Sequence, residues 1–155
     1  MKTKKNTLFT AAITMIYIAA VLFYTISITV EYKTGSDRAD SRFTELTREI
    51  NRNLSVNEPG SESFNNALLR SIGNVSDIAA MQLFYKDELF FSYPRDPSKT
   101  VPATSPLIIP KATTLNAENG APVKFNAALY RLKPSSIFSK GRTAFFVVLF
   151  ATIIC

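Results

Sequence analysis

The residues of this sequence best equipped to hold a ligand fall in two stretches. Tyr85, Ser92, Tyr93 and Arg95 lie in one, and Tyr130 and Arg131 in the other. A binding pocket needs a few polar groups among apolar walls. An arginine can grip a carboxylate through two parallel hydrogen bonds. An anionic ligand would therefore be anchored by Arg95 or Arg131, with the tyrosines and Ser92 supplying walls and hydroxyls. The plainer reading is that the tyrosines are half-buried strand residues and the arginines face water.

Other chemistry is thin. The chain of 155 residues has no histidine, so imidazole acid–base catalysis and histidine metal sites are absent. The single cysteine, Cys155, ends an apolar run and reads as a packing residue. It excludes an internal disulfide, so any folded domain must be stable through its core. The five glycines are dispersed and form no phosphate-cradling loop. Asp87 and Glu88 are neighbours in a turn, which does not aim two carboxylates at one substrate. Asn53-Leu54-Ser55 and Asn74-Val75-Ser76 match the glycosylation pattern, which has meaning only in a eukaryotic secretory pathway. No enzyme activity, cofactor or metal is expected.

The elements that would position the tyrosines and arginines can be read from periodicity. In "DRADSRFTELTREINRNLSV" the apolar Phe43, Leu46, Ile50 and Leu54 recur at three- and four-residue spacings, which predicts a helix over 37–56. Arg42–Glu45, Glu45–Arg48 and Glu49–Arg52 place opposite charges three apart on its wet face. The apolar stripe packs on a sheet or, if wide, also makes a parallel homodimer seam. Asn57-Glu58-Pro59-Gly60 ends this helix. Ser61 caps a shorter one with Phe64, Leu68 and Ile72 on one side. The period then changes. "SDIAAMQLFYKDELFFSYP" predicts two strands around a tight Lys86-Asp87-Glu88 turn. The proline-rich stretch from Pro94 to Pro110 reads as a loop crossing the sheet or as a poor edge. "KATTL" and "VKFNAALYRL" flank Asn119-Gly120, a strong hairpin turn signal. Val123, Phe125, Ala127 and Leu129 share one face of the last strand. The expected fold is α+β, two helices on a small antiparallel sheet of about four or five strands.

Both flanks are apolar. From Thr7 to Val30 there is no charge, and as a helix this run would reach about 36 Å against a hydrocarbon core of about 30 Å. It lacks the short apolar region and small-residue site of a cleaved signal peptide. It reads as transmembrane helix 7–30 in the lipid bilayer of the cytoplasmic (inner) membrane. Lys2, Lys4 and Lys5 in the tail 1–6 keep the amino terminus in the cytoplasm. The segment 31–142 is too long for its own charge to decide its side, so it is expected outside the cytoplasm. Pro134-Ser135-Ser136 opens a helix leading into the apolar run 143–155. That run would cover only about 20 Å and reads as an incomplete second span, so the chain is expected to be the amino-terminal part of a longer protein. The formal net charge is +6, but beyond the tail the basic residues are interspersed with the 12 acidic ones. Nucleic-acid binding needs a basic face with interleaved aromatics, and none is present.

"FTELTREINRNL", "IAAMQLFYKDELFFSYP" and "KFNAALYRL", taken in order between two apolar flanks, resemble the extracytoplasmic sensor regions of bacterial receptors with PAS-like, PDC or Cache folds. The resemblance implies a sensor domain between two transmembrane helices. Its role would be to bind a small ligand and signal through the second membrane helix. The alternative is a structural or assembly protein whose exported domain docks a partner in a membrane complex.

Overall fold

The computed structural model describes residues 2–72, 75–94 and 105–154. The chain forms two compact units, one of Met1–Lys33 with Pro134–Cys155 and one of Thr34–Lys133. The second is α+β. Helices α1 (Lys2–Leu54) and α2 (Glu62–Ile72) precede strands β1 (Ile78–Tyr85), β2 (Glu88–Tyr93), β3 (Ile108–Asn116) and β4 (Pro122–Tyr130). The strands make one antiparallel sheet in the order β2-β1-β4-β3. Helix α3 (Pro134–Ile154) closes the described chain.

The predicted helix over 37–56 is the latter part of a single 53-residue helix that also carries the apolar 7–30 run. No proline occurs before Pro59, so nothing in this stretch removes a backbone donor. Gly35 is the only glycine within α1. A Cβ at Gly35 would sit 1.9 Å from the backbone oxygen of Arg131, so the absence of a side chain lets α1 lie against the chain leaving β4.

The stripe behaves as its spacing predicts. Leu46, Ile50 and Leu54 are buried in one cluster with Phe64, Leu68 and Ile72 of α2 and Met81, Leu83, Phe125 and Leu129 of the sheet. Phe43 stacks on Phe125 with ring centroids 5.2 Å apart. The stripe is thereby used on the sheet, and the exposed residues of α1 beyond Lys33, among them Asp37, Glu45, Arg48 and Arg52, are polar. Of the three expected charge pairs, Arg42–Glu45 forms at 2.6 Å; the other two are not among the ion pairs of the described residues. An exposed pair of long side chains gains only about 0.3–0.5 kcal/mol, too little to hold one geometry. Arg42 also donates to the Ile72 carbonyl at 2.7 Å, satisfying an end of α2.

The start of α2 follows from Ser61. Its Oγ accepts from the Phe64 amide at 3.2 Å, one of the donors a helix start leaves unpaired. Ser61→Ala should lower stability by about 1 kcal/mol in chemical denaturation, whereas Ser61→Asp, which keeps an acceptor, should leave it nearly unchanged.

The turn between β1 and β2 is tighter than expected. Glu88 belongs to β2, and Lys86 and Asp87 alone turn the chain with φ of 52° and 66°. Two residues in the left-handed region match the twist of a hairpin. The strand before Asn119-Gly120 is longer than "KATTL". It begins at Ile108 and includes Pro110, which is tolerable because β3 is an edge of the sheet. Residues 95–104 of the proline-rich stretch lie outside the described residues.

The second apolar helix also begins earlier than the 143–155 run. It starts at Pro134, so position 142 falls inside it, and its 21 residues reach about 32 Å at 1.5 Å per residue. Two helices of the chain, α1 and α3, are long and apolar enough to cross a membrane. Within their unit, Lys140 pairs with Glu31 and donates to the Ser27 carbonyl at 3.2 Å. The ammonium thus has partners on α1 despite its place near the start of an apolar helix.

Candidate functional site

The two faces of the sheet differ. Met81, Leu83, Val123, Phe125 and Leu129 face the helices and are buried. On the opposite face the register places Gln82 directly across from Ser92 on β2 and from Asn126 on β4. Side chains directly opposite on one face sit about 5 Å apart. Ser92, Gln82 and Asn126 therefore form a polar row across three strands. In the next row Ala80 pairs with Ala128, which pairs with Pro110. Two alanines beside three longer polar side chains leave a hollow, a groove of about 220 Å³ also bordered by Tyr93 and Pro94.

The strands explain why these residues meet. In "IAAMQLFY" and "KFNAALY" one uncharged amide interrupts an apolar alternation, with an alanine two positions away on the same side. Strand side chains alternate between faces, so Gln82 shares its face with Ala80, and Asn126 with Ala128. Antiparallel pairing of β1 with β4 brings the two motifs together. A hydroxyl and two carboxamides supply both donors and acceptors. No charged residue lines the groove among the described residues. The arrangement can orient a small polar ligand by neutral hydrogen bonds.

The five described residues of the six expected from the sequence separate. Ser92 and Tyr93 line the groove. Tyr130 lies on the same face, packed with Ala79, Ile108 and Ala128 in a small apolar cluster. Tyr85 lies elsewhere. It pairs with Glu88 beside the turn, whereas Tyr93 pairs with Met81. In a hairpin these positions are roughly 15 Å apart. The Tyr85 hydroxyl accepts from Asn119 Nδ2 at 2.9 Å. Arg131 is not a groove residue; its backbone abuts Gly35, and its amide donates to the Leu107 carbonyl at 2.7 Å. Arg95 lies outside the described residues. Of the five described residues, Tyr85 and Arg131 therefore lie away from the groove that Ser92 and Tyr93 line. The sequence carries no local sign of Gln82 and Asn126 as site residues, because a polar strand residue ordinarily faces water and their pairing depends on long-range register.

The turn end of the sheet carries one electrostatic feature. Lys124 donates to Asp87 across the strands, and this holds the Asp87 carboxyl below the usual carboxylate range. A lowered carboxylate favours the folded state above the ordinary carboxylate range and loses that effect as pH falls through its folded value. The pair is exposed, so its contribution is small. The carboxamide of Asn53, in the first glycosylation pattern, donates to the Glu49 carbonyl at 3.0 Å. Asn74, in the second, lies outside the described residues. The chain matches no known protein family, no curated protein and no solved structure.

Proposed function

We propose that the chain is the extracytoplasmic input module of a membrane receptor, and that its Thr34–Lys133 unit binds a small ligand in the groove over Ala80 and Ala128. The observation that carries this reading is the polar row Ser92–Gln82–Asn126 beside that hollow, in a domain whose chain continues at both ends into helices able to span a membrane. The lysines before the first span favour an amino terminus in the cytoplasm and a domain outside it. The close contact of Gly35 with Arg131 suits such a role. It joins α1 to the last residues before α3, so a shift of β4 on ligand binding would act on both exits of the domain.

Among the described residues no cation lines the groove, and the recognition they offer rests on hydrogen bonds to Gln82, Asn126 and Ser92. A thermal-unfolding screen of the detergent-solubilised chain against neutral amides, sugars and amino acids tests this. A specific ligand at 100 times its Kd stabilises the fold by about 2.7 kcal/mol. Gln82→Leu should abolish the shift given by that ligand while the unliganded protein melts within a few degrees of the parent. A shift that survives both Gln82→Leu and Asn126→Leu would remove the groove from the proposal.

The open edge of β2 favours a second reading, a docking protein in a membrane complex. Among the described residues β2 is an edge strand, and its Leu89 is half exposed. Such an edge can add a strand from a partner. An assembly protein of this kind would give no small-molecule shift at all.

A further inference from the structure

We infer that the Thr34–Lys133 unit carries a second ligand site, a groove between α1 and α2 that takes the phosphate monoester of a hydroxylated molecule such as a sugar. It is separate from the hollow over Ala80 and Ala128, and it requires neither a membrane nor a receptor. The groove has a volume of about 490 Å³, within the range of about 300–1,000 Å³ usual for small-molecule pockets. Glu49, Arg52 and Asn53 line its α1 side, Arg70 its α2 side, and Val56 and Asn57 the end where the chain leaves α1.

The argument for an anion comes from the two guanidiniums. Arg52 and Arg70 are exposed, and neither side chain has a partner among the described residues. Arg70 has no acidic residue three or four positions away, so its own helix cannot neutralise it. Glu49 is the one acidic residue lining the groove among the described residues, which leaves two positive charges against one negative. The carbonyls that end α1 do not offset this excess. The Asn51 and Arg52 carbonyls accept from Ser55, and the Asn53 carbonyl accepts from the Val56 and Asn57 amides at 3.2 and 2.9 Å. A phosphate suits two arginines better than a carboxylate does. One arginine occupies both oxygens of a carboxylate, whereas the three free oxygens of a phosphate monoester can serve two arginines at once. It also carries about −1.5 to −2 charges at pH 7.

The argument for a hydroxylated ester comes from the remaining walls. A bare phosphate ion would leave most of the groove unfilled and would meet the Glu49 carboxylate with like charge. A carboxylate accepts only, so hydroxyl donors are what Glu49 can hold. The Asn57 carboxamide, also without a partner among the described residues, supplies both a donor and an acceptor. Val56 is 76% exposed at the same end and offers apolar surface to the carbon side of a sugar ring. The groove thus presents cations for the phosphate, hydrogen-bonding groups for the hydroxyls and an apolar patch for the ring.

Titration calorimetry of the detergent-solubilised full chain with glucose 6-phosphate, glucose and inorganic phosphate tests the site. Glucose 6-phosphate should bind, inorganic phosphate more weakly, and glucose weakest. Arg52→Gln and Arg70→Gln should each weaken glucose 6-phosphate by about tenfold or more, since each removes a charge-assisted partner. Both positions are exposed, so the variants should fold as the parent does. Arg48→Gln removes an exposed arginine of α1 that does not line the groove, and it should leave binding unchanged. Glu49→Gln should narrow the preference for the ester over inorganic phosphate, because it relieves the like charge and loses the hydroxyl acceptor. No heat from glucose 6-phosphate at millimolar concentration, or an equal loss with Arg48→Gln, overturns the site. Inorganic phosphate binding as tightly as the ester overturns the sugar part. Gln82→Leu, in the hollow over Ala80 and Ala128, should leave glucose 6-phosphate binding intact, and a loss there would place the ester in that hollow instead.

Discussion

Ile50→Ala should destabilise the Thr34–Lys133 unit by about 2–5 kcal/mol, measured by chemical denaturation with tyrosine fluorescence. Ile50 is fully buried, at 0% exposure, and belongs to the cluster that includes Met81, Leu83 and Phe125. Truncation removes its contribution to apolar burial and leaves a cavity. The surroundings have little freedom to fill that cavity, because helices α1 and α2 and the sheet all contribute to one continuous core. A domain of this size is stable by only about 5–15 kcal/mol, so the variant should lose a large fraction of its margin. Arg48→Ala, one residue pair away on the exposed side of the same helix, should change stability by less than about 0.5 kcal/mol. A matching small effect at Ile50 would mean that the stripe does not pack on the sheet.

That stripe was legible because helix periodicity is local. Phe43, Leu46, Ile50 and Leu54 need only the 3.6-residue turn to fall on one side, and Ser61 needs only the three residues after it to act as a cap. Hairpins were legible for the same reason, since a turn and its flanks are neighbours in sequence. The Lys86-Asp87 turn was placed but not typed. Asn-Gly is the usual sign of two left-handed residues, and Lys-Asp carries no such mark. The groove was the hardest to read. Ser92, Gln82 and Asn126 line up only once β1 is paired with β4, and Gln82 and Asn126 themselves are 44 residues apart in the chain. The misplacement of Tyr85 has a different origin. Chemical likeness between tyrosines says nothing of their distance, whereas hairpin geometry sets Tyr85 beside the turn and Tyr93 at the open end.

Gly35→Ala should destabilise the protein even though alanine is the better helix former. In an ordinary helix interior this substitution gains about 1 kcal/mol. Here the new Cβ would lie 1.9 Å from the carbonyl oxygen of Arg131 and 2.8 Å from its carbonyl carbon. Both are backbone atoms, so no side-chain rotation relieves the overlap. Relief requires α1 to move away from the chain between β4 and α3, and that chain is itself tied down. The Arg131 and Leu132 amides both donate to the Leu107 carbonyl, and Lys133 pairs with Asp77. Forced repacking of a filled site typically costs about 1–3 kcal/mol, occasionally more. A backbone-on-backbone clash belongs at the upper end, so the net change should be a loss of about 2 kcal/mol or more after the helix gain is subtracted. The sign decides the matter. If Gly35→Ala raised the denaturation midpoint, α1 would not approach Arg131 as closely as described. The coupling between the domain's two exits would then lose its physical basis. If it lowered stability while Gly141→Ala, whose new Cβ would meet only the edge of Tyr24 at 3.7 Å, left stability unchanged or improved, the close approach at Gly35 would be the cause rather than a general intolerance of alanine in these helices.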